Sequence, residues 1–239
     1  METLFVTKHD GQRQSYDNQK VLASIISSGV DKNRVMDVLG HVEKKVYNGI
    51  STKELYRLVY EEIDEAGFDK NARLYRLREA LAKMGSIDFE KFVDKILAKE
   101  GFKTKWNTIV PGFCVEHQLD IIAQMGKNIF FVEVKRHQNP HRDSGLGYVA
   151  ELWARFVDLQ EGFKVGRHNW NFSNAWLFTN TKFSDHAKQY SACKGLRLTG
   201  WRYTFEGGRT SHCDEGLEKM LELIGLDQID SMIKNTVNY

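Results

Sequence analysis

Two stretches near the middle of the chain, Val115–Ala123 and Asn128–Lys135, alternate between apolar and polar residues. Strand side chains point to alternate faces. Leu119, Ile121 and Ala123 are therefore expected on one face of the first run, with Asp120 looking out of the other. In the second run Phe130, Val132 and Val134 point one way, and Phe131, Glu133 and Lys135 the other. The turn Met125–Asn128 carries Gly126 and Asn128, residue types that tolerate unusual backbone angles. This predicts a hairpin with Gln124 against Ile129 and Asp120 opposite Glu133, their Cβ atoms about 4.5–5.5 Å apart.

The first part of the chain has a helical rhythm after two short strands. Leu4–Lys8 and Gln12–Tyr16 flank a His9-Asp10-Gly11 turn. Asp17 is a good N-cap for a helix over 18–28, with Val21, Leu22, Ile25 and Ile26 in one stripe. A second helix is expected over 31–47. Ser51-Thr52-Lys53-Glu54 has the form of a capping box that opens a third. A fourth covers about 70–84, and Gly85-Ser86 reads as a boundary.

Beyond it the pattern gives a helix over 87–100, a strand over 102–110 and the hairpin. A polar loop, 137–147, follows, then a long helix over 148–162. A buried strand over 175–180, a helix capped by Ser184 and a last strand over 196–201 complete the core. Residues 216–224 form a short amphipathic helix and another begins after Gly225. The reading is a mixed α+β or α/β protein in three parts: residues 1–85, mainly helical with a β-hairpin; 86–204, an αβββαβ unit with a mixed sheet; and 205–239, a helical extension.

Charge changes this picture little. The 239 residues carry 34 Lys and Arg against 32 Asp and Glu, so any basic surface is local. No apolar run reaches the roughly 20 residues that span a bilayer. The N-terminus lacks the basic-then-apolar pattern of a signal peptide. Cys114, Cys193 and Cys213 lack metal-ligand spacing, and reduced thiols in a cytoplasm are expected.

Chemistry enters at the hairpin. Carboxylates placed side by side repel; either they lie on a solvated outer face, or a divalent cation removes the repulsion. Hard cations such as Mg²⁺ take carboxylate oxygens and retain waters, one of which can become a nucleophile. Lys135 is placed to steady negative charge on a phosphate or to orient that water. Asp120, then Glu133-Val134-Lys135, resembles the Asp…(Asp/Glu)-x-Lys signature of the PD-(D/E)XK nuclease superfamily, with Leu119 where that family usually has Pro. Ala175-Trp176-Leu177-Phe178-Thr179-Asn180, Phe183-Ser184, Ala187 and Tyr190 resemble the strand-to-helix turn of Mrr-like restriction endonucleases, over about residues 89–201. The resemblance implies Mg²⁺ or Mn²⁺ held by Asp120, Glu133 and the Val134 carbonyl, with Lys135 assisting.

Other residues remain open. Glu116 lies roughly 13 Å from Asp120 along a straight strand, so only a bend, a second metal or a DNA contact would bring it in. Glu90 is placed where the superfamily often has an auxiliary carboxylate, with a surface role as the alternative. His117 is an auxiliary group or a packed histidine. His141 and Arg142 are phosphate contacts or solvated loop residues. For Glu151 and Arg155 the i,i+4 spacing makes an intrahelical ion pair the default.

The first part resembles the ATP-cone, a nucleotide-sensing domain of ribonucleotide reductases and their regulators. The likeness lies in Val6-Thr7-Lys8-His9-Asp10-Gly11, Tyr16-Asp17-Asn18-Gln19-Lys20-Val21, Gly49-Ile50-Ser51-Thr52-Lys53-Glu54-Leu55 and Ala72-Arg73-Leu74-Tyr75-Arg76-Leu77-Arg78. It implies ATP or dATP bound at Val6, Lys8, His9, Lys20, Val21, Thr52, Tyr56 and Tyr75. Lys8 and Lys20 would contact phosphates, Tyr75 the base, and His9 stands where the family usually has Arg. Lys20 also lies near a helix N-terminus, which attracts anions.

The expected protein is a cytoplasmic, nucleotide-regulated, metal-dependent DNA endonuclease of restriction type that acts as a homo-oligomer. The alternatives are a non-catalytic, nucleotide-responsive DNA-binding regulator and a junction or repair nuclease.

Overall fold

The computed structural model describes residues 4–8, 11–68, 77–140, 142–201, 216–225 and 229. Expectations for His9, Tyr75, His141 and Cys213, for residues 70–76 of the fourth helix and for most of the stretch after Gly225 lie outside them. The chain divides into two compact units, Met1–Arg78 and Glu79–Tyr239.

In the first unit, strand β1 (Phe5–Thr7) lies between β2 (Arg13–Ser15), antiparallel, and β3 (Ile50–Ser51), parallel. Helix α1 (Asn18–Ser28) starts where the Asp17 carboxylate accepts the Gln19 N–H at 3.0 Å, and it ends at Gly29 in the left-handed region. Helix α2 runs Val35–Lys45. The expected start at Asp31 is corrected, because the Asp31 carboxylate instead accepts the Asn33 N–H and holds a separate turn. Helix α3 (Thr52–Glu65) opens with the capping box, Ser51 and Glu54 satisfying each other's backbone N–H. The apolar stripes of the three helices meet in one core that contains Val21, Ile25, Val38, Leu39, Val42, Val59 and Ile63. Full burial of such side chains contributes about 1.5–3 kcal/mol each. Residues 77–83 are helical.

In the second unit, α4 (Ser86–Lys99) leads to β4 (Lys103–Pro111), β5 (Glu116–Met125) and β6 (Asn128–Lys135). A two-residue β7 (Asp143–Ser144), α5 (Leu146–Lys164), β8 (Asn174–Thr179), β9 (Lys182–Phe183), α6 (Asp185–Lys194) and β10 (Arg197–Thr199) follow. Leu217–Ile224 is α7. The sheet order is β10-β8-β6-β5-β4; β4, β5 and β6 are antiparallel, while β6, β8 and β10 are parallel. The sheet is mixed and the fold class is α+β. Helices α5 and α6 bury Val149, Leu152, Phe156, Leu159 and Ala187 against Ile122, Phe131, Ala175 and Leu177. Helix α4 packs against β4, β5 and β6, and residues alternating with the first set, among them Ala123, Val132 and Trp176, are buried facing the other way. Strands β7 and β9 pair in parallel, so the expected polar loop 137–147 is partly ordered into a small second sheet.

The hairpin register matches the sequence pattern at the turn, with Gln124 opposite Ile129 and Met125 opposite Asn128. One facing is corrected. Leu119 packs with Ile122 and Phe131, and not on the side of Ile121 and Ala123. The alternation changes side at Asp120. Opposite it, the β4–β5 pairing skips Asn107, which has φ +50°.

Candidate active site

Pairing between β5 and β6 runs from Met125–Asn128 to Ile121–Val132 and stops before Asp120. There the Asp120 carboxylate takes over, accepting the Val134 main-chain N–H at 2.7 Å. The acid is thus anchored in the plane of the sheet at the point where the two strands part. Burial raises its pKa above the ordinary value. The Val134 N–H, Arg155 and Lys135 pull the other way.

Glu133 and Lys135 project towards α5. They line one narrow pocket with Tyr148, Glu151, Leu152, Arg155 and Leu177. The Glu133 carboxyl is pushed up to about 7, first by burial and then by the Asp120 charge, with Glu151 adding to it and Arg155 opposing. The structure therefore brings Asp120, Glu133 and Lys135 into one electrostatic neighbourhood. The Lys135 ammonium stands 5.4 Å from the centre of the Tyr148 ring, within cation–π reach.

Arg155 corrects the expectation of an intrahelical pair with Glu151. Its Nη1 donates to Glu133 at 2.5 Å and its Nη2 donates to the Gln118 carbonyl. The i,i+4 spacing offers a local partner and so points away from the sheet. The signal that identifies a site-facing row is Glu151, Arg155 and Asp158 alternating with the buried Leu152, Phe156 and Leu159.

The auxiliary candidates separate. Glu90, on α4, has its pKa raised by burial and then by Asp120, while a hydrogen bond from Trp106 and the charge of Lys91 lower it, so Glu90 senses the acidic centre. Glu116 is exposed at the start of β5, opposite Pro111. His117 turns to α5, where its Nε2 lies 2.7 Å from Asp158. Asp158 also accepts the Cys114 N–H at 2.7 Å, which ties the β4–β5 turn to the helix.

The end of β6 is clamped. Asn180 accepts the His137 N–H and donates to the His137 carbonyl, both at 2.8 Å. The His137 ring lies 3.0 Å from the Ser144 hydroxyl. Burial first, then Arg142, Lys135 and Arg136, lower the ring's pKa to about 4, so the imidazole is neutral at pH 7. Arg142 is exposed.

Residues 81–200 match the restriction endonuclease family Mrr_cat. That is half of the chain. The chain belongs to the Mrr_cat family of restriction endonucleases. An uncharacterized protein of Archaeoglobus fulgidus is 39% identical over 132 residues, which cover 55% of this chain and 66% of that protein. The crystal structure of AF1548, a protein of unknown function, is similar at a TM-score of 0.49 and 37% identity, over 59% of this chain and 67% of that one. The transcriptional repressor NrdR of Lactobacillus helveticus is 26% identical over 109 residues, covering 41% of this chain and 67% of the repressor.

Asp120, Glu133 and Lys135 all fall within the residues matched to Mrr_cat. Their donor set suits a hard cation: two carboxylates and the Val134 carbonyl supply only oxygen, which is what Mg²⁺ and Mn²⁺ prefer. Both carboxyls are raised first by burial, with Arg155 opposing the rise at each. Among the described residues no three His, Cys, Asp or Glu side chains form a ready ligand cluster. Waters and the main-chain carbonyl would have to complete the shell.

The nucleotide candidates occupy the first unit. Val6 and Val21 are buried core residues. Lys8 is exposed and its N–H closes the β1–β2 turn on Gln12. Lys20, in the first turn of α1, lies 4.0 Å from Asp17. The Thr52 hydroxyl donates to the Thr7 carbonyl at 3.2 Å, and Tyr56 packs against the helical core. Among the described residues, no helix is long and apolar enough to cross a membrane.

Proposed function

We propose that the second unit is a metal-dependent DNA endonuclease of restriction type and that the first is an ATP-cone that regulates it. The observation that carries this reading is geometric: the Asp120 carboxylate accepts the Val134 N–H at 2.7 Å, between Glu133 and Lys135 on the neighbouring strand. Two carboxyls from neighbouring strands lie largely out of water, where the charge of Asp120 raises Glu133 and Lys135 lowers Asp120. Membership of Mrr_cat supports DNA as the partner. A divalent ion held there would supply a water of lowered pKa as nucleophile. The chain's own residues do the rest. Asp120, fixed by Val134, and Glu133 present oxygens to the ion, and the Lys135 ammonium compensates charge that builds on the scissile phosphate.

ATP or dATP on the first unit would alter how subunits of a homo-oligomer associate, and so how two nuclease sites meet on a duplex. The test is nicking of a supercoiled plasmid with Mg²⁺ or with chelator, in the presence and absence of ATP and dATP. Cleavage that needs Mg²⁺ and is lost in Glu133→Gln supports the reading. Equal cleavage by that variant ends it.

A second reading has its own observation. The likeness to the transcriptional repressor NrdR favours a nucleotide-responsive DNA-binding regulator on a nuclease platform. Nucleotide-dependent DNA binding with no cleavage under any metal would select it. Preference for branched or damaged DNA over plain duplex would instead indicate a junction or repair nuclease.

A further inference from the structure

Arg155 holds an unusual position for a helix residue. Its Nη1 donates to Glu133 Oε2 at 2.5 Å, its Nη2 donates to the Gln118 carbonyl, and its guanidinium carbon lies 5.0 Å from the centre of the Phe131 ring. The side chains of Arg155 and Glu133 are only 17% and 23% exposed. The guanidinium therefore spans β5 and β6 beside Asp120, on the carboxylate that a cation would use. A guanidinium stays charged in proteins, so it cannot leave by losing a proton. It must move.

We propose that Arg155 is the resting counter-cation of the acidic centre: it neutralises Glu133 when no divalent ion is bound and must release that carboxylate for an ion to bind. This rests on the reading that Asp120 and Glu133 hold a metal. Glu151 supplies the place to go. It lies one helical turn from Arg155 on α5 and lines the same pocket, and i,i+4 side chains on a helix are neighbours. The arginine thus has two carboxylate partners, one in the centre and one beside it. Ion loading would exchange the first for the second. Lys135 rests over the Tyr148 ring, 5.4 Å from its centre. The device would keep two buried carboxylates from repelling in the ion-free protein, at the cost of weaker ion binding.

The experiment titrates the full chain with Mn²⁺ alone, without DNA, at about pH 8, above the value of about 7 to which Glu133 is pushed, and reads binding by calorimetry or by the spin-resonance signal of free Mn²⁺. Arg155→Met should bind Mn²⁺ at least about tenfold more tightly than the unaltered chain, because a positive charge within a few ångströms of the ion is gone. Arg155→Lys, which keeps the charge but loses the forked grip, should fall between them. Glu133→Gln should lose the binding. Equal or weaker binding by a folded Arg155→Met, checked by its circular-dichroism melt, would overturn the proposal. If that variant does not fold, Arg155→Lys decides, and binding no tighter than in the unaltered chain overturns it. Glu133-dependent binding without tightening sinks this proposal alone. Absence of any Glu133-dependent binding in every arginine variant sinks the metal reading with it.

Discussion

The carboxylate of Asp120 accepts the main-chain N–H of Val134 at 2.7 Å. A side chain thereby does what a backbone carbonyl does elsewhere in a sheet, at the position where the β5–β6 ladder ends. The bond fixes the acid beside Glu133 without spending a neighbouring side chain on it. It also gives Asp120 a structural role, which can be separated from the catalytic role proposed for it. Asp120→Asn keeps an acceptor for Val134 and removes the buried charge. Its cleavage should drop at least about a thousandfold, as when a residue acting within a catalytic unit is removed. Its melting temperature should stay level or rise, because burial already disfavours the charged form of Asp120. Asp120→Ala leaves the Val134 N–H unpaired, a loss of about 1–3 kcal/mol that offsets the gain. Plasmid nicking and thermal melts of both variants check this. Wild-type nicking by Asp120→Asn would remove the acid from the mechanism.

The Asp158 anchor should be visible in the acid stability of the protein. Burial works to raise this carboxyl, but the N–H groups of Cys114 and Val115, the His117 ring and the Cys114 thiol outweigh it and hold it at about 2. A carboxyl depressed in the fold adds stability above its unfolded pKa of about 3.9. That contribution fades as pH falls from about 4 to about 2. Asp158→Asn should therefore lose less stability across that interval than the unaltered chain does. At neutral pH it should be less stable by about 2 kcal/mol, the scale of hydrogen bonds to a charged group. Urea melts at several pH values measure both. Parallel acid limbs for the two proteins would show that Asp158 does not carry the effect.

The hairpin register near the turn was legible in the sequence because a period-two pattern and a Gly/Asn turn together fix it, but the ladder ends before the expected Asp120–Glu133 pair. A one-residue slip would have turned every buried residue outwards. The change of side at Asp120 was not legible, because its counterpart is on another strand. Asn107 adopts φ +50° on β4, and only a residue type that tolerates this conformation hints at it. The role of Arg155 was hidden for a related reason. Its i,i+4 partner offered a sufficient local explanation, while its actual partner, Glu133, is reached only once α5 lies on the sheet. Strands of two residues, such as β7 and β9, are too short to leave a periodic trace.

Gly162 marks a close approach of α5 to the β4–β5 turn. A Cβ on Gly162 would lie 2.8 Å from the Gly112 carbonyl carbon and 3.0 Å from the Phe113 nitrogen. These are backbone atoms, which cannot rotate aside. The helix would have to shift, and Arg155 and Asp158 would shift with it. Gly162→Ala should cost about 1–3 kcal/mol by overpacking, read as a lower urea midpoint. It should also reduce cleavage, although no acidic residue has changed. A variant as stable as the unaltered chain would mean that the helix sits less tightly on the turn than this geometry requires.

The first unit offers the cleanest separation of nucleotide control from chemistry. Lys20 is 65% exposed and its contact with Asp17 is long at 4.0 Å. An exposed pair of this kind contributes at most about 1 kcal/mol, so Lys20→Ala should leave the fold intact. Lys8, exposed beside the β1–β2 turn, holds that turn through its main chain, which Lys8→Ala preserves. If the two ammonium groups meet phosphates, each substitution should weaken ATP or dATP binding by about tenfold, the scale of one charge-assisted contact. The double variant should cleave DNA at a rate that no longer responds to nucleotide. Titration with a fluorescent ATP analogue and nicking with and without dATP read the two effects separately. Unchanged affinity in the double variant would rule out this surface as the nucleotide site, whatever the second unit does to DNA.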